Sequence, residues 1–281
     1  MVKLSTLLIL VFGVFAGGLV ALVNPPFLSQ PSPAQGRFKE PGDDLDEFVG
    51  NVKSIDVEIE KHRFTTHVLD FGSLYKRKLF QTSHFDRDGK KIEGFDYRMD
   101  GVPLPKTTYS YDKNGVLLKE NHYSAVSGRP YYETVYIYDS QGRLKEEVGK
   151  SIEDGRVLSR RLYSHDEKGN YTEVVEYDSD NALRGKIGFI WNDRSKVDEV
   201  IGFSPEGEVM GKQTITYDEK GNIAGIVFYP SDGSSVEMEK RTYEVDEQGN
   251  WVKKTLYYWV TKDGESFYEL MNITYRTIAY Y

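Results

Sequence analysis

From residue 45 onward the chain alternates short apolar and polar side chains, interrupted by turn residues at nearly even spacing. Alternation over four to eight residues marks a half-buried strand, because successive side chains on a strand point to opposite faces. One phrase marks the interruptions. It reads Tyr109-Ser110-Tyr111-Asp112-Lys113-Asn114-Gly115, and its core returns at Tyr138-Asp139 to Gly142, His165-Asp166 to Gly169, Tyr217-Asp218 to Gly221 and Val245-Asp246 to Gly249. Asp at the first position of a turn and Gly at the fourth suit a type I turn closed by a residue in the left-handed region. Each Asp-x-x-Gly is therefore a hairpin loop.

The loop-closing positions are Gly89, Gly115, Gly142, Gly169, Ser195, Gly221 and Gly249, separated by 26, 27, 27, 26, 26 and 28 residues. A second series lies between them at Gly72, Gly101, Gly128, Gly155, Asn181, Gly207, Gly233 and Gly264. Turns thus arrive about every 13 residues, leaving strands of ordinary length between them. The pattern predicts an all-β antiparallel meander of about 14–16 hairpin strands in one long curled sheet, preceded by an N-terminal hydrophobic helix. Curling follows because open twisted sheets rarely pass about ten strands, and a flat sheet would expose a long aromatic face.

The loop type also predicts pairing. The residue four before the closing position should face the residue two after it. The pairs are Phe85–Lys91, Tyr111–Leu117, Tyr138–Leu144, His165–Tyr171, Trp191–Val197, Tyr217–Ile223 and Val245–Trp251. With strict alternation, Tyr109, Tyr136 and Tyr163 share that face, as do Tyr97, Tyr123, Tyr177, Phe203, Tyr229 and Tyr257. The same alternation sets Glu146 opposite Tyr136 and Glu173 opposite Tyr163, as a polar stripe within an aromatic ladder.

Composition sharpens this in two ways. Tyr 21, Phe 14 and Trp 3 in 281 residues suit pleated sheet, and Gly 26 suits many tight turns. A net charge of −8 without a Lys/Arg cluster excludes a nucleic-acid footprint. The absence of cysteine excludes disulfides, thiolate metal sites, a cysteine nucleophile and a lipidated cysteine.

Lys3 precedes an apolar run from Leu7 to Val23, at the short limit for a membrane span. Residues 1–23 are read as a signal peptide or a membrane anchor, and both readings place the remainder outside the cytoplasm. Ser32-Pro33-Ala34 offers small residues for cleavage. Residues 24–44 form a flexible linker and 45–281 the β-domain.

Catalytic patterns are sparse. Asp112-Lys113-Asn114-Gly115 shares letters with a calcium loop, but Tyr123 stands where that loop needs a bidentate Glu. Carboxylates in successive repeats lie two strands apart, about 10 Å, too far to share one cation. His62, His67 and His84 lack the spacing of a zinc site. No Gly-x-Ser-x-Gly or phosphate-loop pattern occurs. Tyrosine rings with carboxylates between them do resemble a sugar platform. Its candidate contacts are Tyr109, Tyr136, Tyr163, Glu146 and Glu173, set against the reading that these rings are cross-strand packing.

Tyr138-Asp139-Ser140-Gln141-Gly142-Arg143 and Tyr217-Asp218-Glu219-Lys220-Gly221-Asn222 resemble the YD (Rhs-type) repeat. The opening Phe48-Val49-Gly50-Asn51-Val52 and the stretch from Asp246 to Tyr281 are similar to small exported YD-repeat proteins of bacteria. The resemblance implies an antiparallel strip wound into a curved or shell-like sheet, at a cell surface or in the envelope. The chain lacks the core motif that closes large Rhs shells, and its period is longer, so toxin delivery is not implied.

The expected function is an exported, envelope-associated, non-enzymatic interaction or scaffold module. It would sit in the periplasm, on the cell surface or in the medium, tethered to the inner membrane if residues 1–23 stay attached. Its partner would be a protein or an envelope glycan, with no nucleic acid, cofactor or metal. The alternatives are a glycan-binding module using the aromatic face, and a hydrolase built on paired carboxylates.

Overall fold

The computed structural model describes residues 48–62, 75–98, 101–232 and 236–281. The expected N-terminal helix, the linker over 24–44 and His67 lie outside these residues. Sixteen strands follow in order. They are β1 (Val52–Lys61), β2 (Tyr75–Phe85), β3 (Lys91–Asp96), β4 (Thr107–Tyr111), β5 (Leu117–Tyr123) and β6 (Pro130–Tyr138). Next come β7 (Leu144–Ser151), β8 (Val157–His165), β9 (Tyr171–Asp178), β10 (Leu183–Trp191) and β11 (Val197–Phe203). The last five are β12 (Val209–Tyr217), β13 (Ile223–Pro230), β14 (Glu237–Val245), β15 (Trp251–Lys262) and β16 (Glu265–Tyr280). No described segment is a helix.

The strands are hydrogen-bonded in chain order, as the meander predicts, and β1 pairs with β16. That last pairing corrects the expected curled sheet to a closed barrel order, which leaves no edge strand unpaired. The chain forms two compact units: Thr108–Ile215 with Phe228–Val236, and Glu47–Thr107 with Thr216–Val227 and Glu237–Tyr281.

The loops have the predicted geometry. At the second turn of the first unit, Asp139 N donates to Arg143 O at 2.8 Å and Gly142 N donates to Asp139 O at 3.0 Å. The Asp139 side chain adds what the turn type alone did not require. Its Oδ1 accepts the N–H groups of Gln141 and Arg143 at 2.8 and 2.9 Å. Asp112 and Asp246 grip their loops the same way. The residue after the closing Gly then reaches the second oxygen: Arg143 Nε to Asp139 at 2.7 Å, Asn170 to Asp166 at 3.0 Å, and Asn222 to Asp218 at 2.9 Å. This accounts physically for the Asn or Arg that ends the sequence phrase.

Phe85–Lys91, Tyr138–Leu144, His165–Tyr171, Trp191–Val197 and Val245–Trp251 all pair as predicted. The next step differs from strict alternation. One extra residue follows each of these pairs (Ile92, Lys145, Thr172, Asp198 and Val252), so the register slips by one. Glu146 therefore faces Ile137, and Tyr136 faces Glu147. Likewise Glu173 faces Ser164, and Tyr163 faces Val174. The rings eight residues after the loop are carried to the other side of the sheet. Tyr177 there opposes Arg160, Phe203 opposes Lys186 and Tyr257 opposes Lys240.

In the first unit the covered face holds a core of Tyr109, Leu117, Tyr136, Leu144 and Tyr171, flanked by Tyr111, Tyr138, Tyr163 and Phe189. Repeats are stapled across this face. Tyr138 Oη donates to Leu117 O at 2.8 Å, and Trp191 Nε1 donates to Tyr171 O at 2.6 Å, each reaching the strand that returns from the preceding Asp-x-x-Gly loop. At the opposite strand end Tyr132 lies across Gly149, where a Cβ would run into the Tyr132 hydroxyl and stand 2.5 Å from Ser159 Oγ.

In the second unit Ile55, Val57, Trp251, Leu256 and Arg276 are buried, and the Arg276 guanidinium lies 3.4 Å from the Trp251 ring centre. Its closure is made at the last Asp-x-x-Gly loop. Asn250, buried at 3 % exposure, accepts Val49 N at 2.7 Å and donates to Val49 O and Tyr280 Oη at 2.8 and 2.7 Å. Tyr280 Oη donates to Asp246 at 2.5 Å, and Tyr281 Oη to Phe85 O at 2.6 Å.

Ser195 closes its loop with φ 56, where other loops use glycine, such as Gly142 with φ 77. A side chain in the left-handed region costs about 1–2 kcal/mol, partly offset by the greater freedom glycine gives the unfolded chain. Ser195→Gly is expected to stabilise the protein by up to about 1 kcal/mol, and Gly142→Ala to destabilise it by about 1 kcal/mol or more. Urea unfolding of both variants checks the opposite signs.

Candidate functional site

The slipped register decides where the predicted contacts go. Tyr109 and Tyr136 are buried on the covered face at 8 % and 5 % exposure. Tyr136 Oη donates to Glu120 Oε1 at 2.8 Å, and burial, followed by the Glu120 charge, holds its hydroxyl well above the usual tyrosine range. Tyr163 is half-buried on the same face, its ring 5.1 Å from that of Tyr171. Glu146 and Glu173 stand on the opposite, open face. Glu146 accepts Arg160 Nε at 2.6 Å, and Glu173 meets Lys186 Nζ at 3.1 Å. The five predicted contacts do not converge. The two glutamates belong to β7 and β9, with β8 between them, so strand spacing sets their backbones about 10 Å apart.

The open face of the first unit carries a repeating device instead. A residue four after the loop pairs with an opposite charge on the neighbouring strand. The pairs are Lys119–Glu133 at 3.0 Å, Arg160–Glu146 at 2.6 Å, Lys186–Glu173 at 3.1 Å and Lys212–Glu199 at 3.0 Å. Lys186 and Lys212 also lie over the rings of Phe203 and Tyr229 at 4.9 and 5.5 Å. Partly exposed pairs of this kind add little stability, but they make the face charged along its length.

The covered face holds buried charge as well. Glu120 is fully buried beside His122, whose Nε2 lies 3.8 Å from Glu120 Oε2, too long for a hydrogen bond. Arg161 stands between Glu147 at 3.3 Å and Glu176 at 3.8 Å. With Glu120 and His122 so enclosed, this cluster offers no entry to a substrate. Of the histidines considered for metal, His84 pairs with Glu93 at 2.9 Å and His62 with Glu60 at 3.2 Å. Among the described residues no group of three or more His, Asp or Glu is placed to hold a metal ion.

A groove of about 610 Å³ opens between two successive loops of the first unit. Ile137 and Tyr138 come from the end of β6, Asp139, Ser140 and Arg143 from the loop, Lys145 from the start of β7, and Tyr163, Ser164 and His165 from the end of β8. Arg143 binds Asp139 at 2.7 Å and reaches Asp166 O at 3.5 Å, so it spans from one loop to the next. Burial raises the Asp139 carboxyl, but the Arg143 N–H, its guanidinium and the Gln141 N–H outweigh this and leave it below the usual carboxylate range. Burial and then the Arg143 charge lower the His165 imidazole. Of the predicted contacts only Tyr163 lines this groove. Tyr138 and His165 share one offset of the repeat and Ile137 and Ser164 another, whereas Arg143 and Lys145 differ in type from their counterparts, so a search for recurring residues passes over them.

No protein-family model and no curated protein matches the chain. Solved structures do. A porin-like protein from Bacteroides uniformis is similar with 12 % identity and a TM-score of 0.56, covering 82 % of this chain and 98 % of that one. A porin-like protein from Bacteroides vulgatus has 14 % identity and a TM-score of 0.36, covering 82 % and 98 %. A chain of the Photorhabdus luminescens Tc holotoxin pore has 13 % identity and a TM-score of 0.29, covering 70 % of this chain and 14 % of that one. The first of these shows a likeness of fold, an antiparallel all-β sheet in closed strand order.

His122 supplies a pH test of the buried cluster. Burial lowers its pKa from 6.5 to about 4. The unfolded chain therefore binds the proton more tightly than the folded one, so stability is full above pH 6.5 and is lost as pH falls toward 4. Between pH 7 and 4.5 this group should account for about 2 kcal/mol of lost stability. His122→Phe should remove that part of the pH dependence. Urea unfolding at both pH values checks it, and equal losses in the two proteins would count against a buried neutral imidazole.

Proposed function

We propose that this is an exported, envelope-associated, non-enzymatic protein of YD-repeat type that acts as an interaction or scaffold module. The observation that carries the reading is where the repeat spends its chemistry. Asp-x-x-Gly carboxylates hold their own loops, Tyr138 and Trp191 donate to backbone of the preceding repeat, and the regularly placed glutamates are ion-paired. A surface built by such repetition presents one rigid charged pattern, which suits binding better than a reaction. The shared fold with a porin-like protein supports an envelope location. Lipid-spanning strands are not favoured. Lys or Arg on a lipid face costs about 2–4 kcal/mol each at mid-bilayer. The open face of the first unit carries four such cations in ion pairs, Lys119, Arg160, Lys186 and Lys212.

Glycan binding is the second reading, and the groove beside Tyr163 favours it, because the remaining predicted contacts are buried or ion-paired. The first reading is tested by fractionating cells that make the tagged full-length protein. It should appear in the envelope or medium and be cut by protease added to intact spheroplasts. Recovery in the cytosol, protected from protease, would sink it.

A further inference from the structure

The groove gathers the places where this chain departs from its own repeat. The position three after the loop is Ile92, Leu118, Lys145, Thr172, Asp198, Ala224 and Val252 in the successive repeats, so Lys145 is its one cation. The position four before the loop is Phe85, Tyr111, Tyr138, His165, Trp191, Tyr217 and Val245, so His165 is its one imidazole. The position after the closing residue holds its one arginine at Arg143. A repeat preserved only for folding would scatter such departures. Here all three line one groove between neighbouring loops.

The geometry points to an acidic saccharide as the ligand of this groove: a sugar ring bearing a carboxylate. The inference rests on the glycan-binding reading and narrows it. Tyr138, Tyr163 and His165 line the groove, and the Tyr163 and His165 rings lie 5.1 and 4.6 Å from that of Tyr171. Ile137, 40 % exposed, gives one apolar wall. Ser140 and Ser164 supply hydroxyls at the rim. A sugar presents both an apolar ring face and hydroxyl edges, which such a mixture can meet at once.

Charge selects the acidic form. Asp139, the one carboxylate lining the groove, is held by Arg143 through both Nε and Nη2 at 2.7 Å. Lys145 is exposed and, among the described residues, has no acidic partner. One cation is thus left over in a lining that also holds the Arg143 guanidinium. A ligand carboxylate placed there would neutralise it. The volume of about 610 Å³ falls within the range of small-molecule sites and has room for a short oligosaccharide rather than one sugar alone.

The test is isothermal titration of the full chain with four probes. They are a tetrasaccharide alternating glucuronate and N-acetylglucosamine, an N-acetylglucosamine tetramer, a glutamate tetrapeptide and inorganic phosphate. The acidic tetrasaccharide should bind at least ten-fold more tightly than the other three. Lys145→Glu and Ile137→Asp should each weaken it at least ten-fold, with unchanged thermal unfolding. Lys168→Glu, in the next loop but outside the groove, should leave it unchanged. Equal binding of the peptide or of phosphate would overturn the assignment, as would acidic-saccharide binding indifferent to Lys145→Glu. Tight binding of the neutral tetramer, untouched by Lys145→Glu, would overturn this site while leaving glycan binding itself standing. Failure of both saccharides to bind would overturn the site and the glycan reading together.

Discussion

The arrangement depends on one small contact, the carboxylate of each loop aspartate holding the N–H groups two and four residues ahead of it. That grip fixes where each Asp-x-x-Gly hairpin turns and commits its two strands to their register. The single extra residue that follows then turns the strand over. Everything downstream inherits the choice. Tyr136 reaches buried Glu120 instead of Glu146, and Glu146 is left to Arg160 on the other side. A one-residue difference in register moves a whole set of side chains from core to solvent, so the contact sorts the two faces as well as shaping the loop.

Much of this was legible in the sequence. The loops, their spacing, the first pair after each loop and the number of strands follow from Asp, Gly and alternation, because turn chemistry is local. The extra residue was not legible in the same way. Ile92, Lys145, Thr172, Asp198 and Val252 share no size, charge or shape, so nothing in their letters announces a bulge. A signal did exist in the residues around them. Val174, Val200 and Ile226 are apolar five after the loop, while Glu173 and Glu199 are charged at four, a three-residue step where alternation allows only two or four. The closed order was hidden for another reason. It is made by Val49, Asn250 and Tyr280, which no local pattern links.

The candidate groove shows why repetition obscures function. Tyrosines that recur draw the eye toward binding, yet recurrence is what a framework requires. Tyr138 and Trp191 are occupied by carbonyls of the repeat before them, and Tyr109 and Tyr136 by the core. The residues free to discriminate are the irregular ones. Of the five contacts expected from the sequence only Tyr163 lines the groove, beside Tyr138 and His165 from one shared position of the repeat.

The clasp at Asn250 has a bearing on how the molecule comes into being. Val49 meets its partner 201 residues later, and Phe85 waits 196 residues for Tyr281. Synthesis delivers the chain in one direction, so β1 emerges long before β16 exists to cover it. Through that interval its outer backbone groups stand ready to accept any strand that arrives, including one from another copy. Asp56, Glu58 and Glu60 find Thr82, Arg77 and Tyr275 once the fold is complete, and before that the same charges, with Lys53, are of the kind that makes an open strand a poor template for pairing.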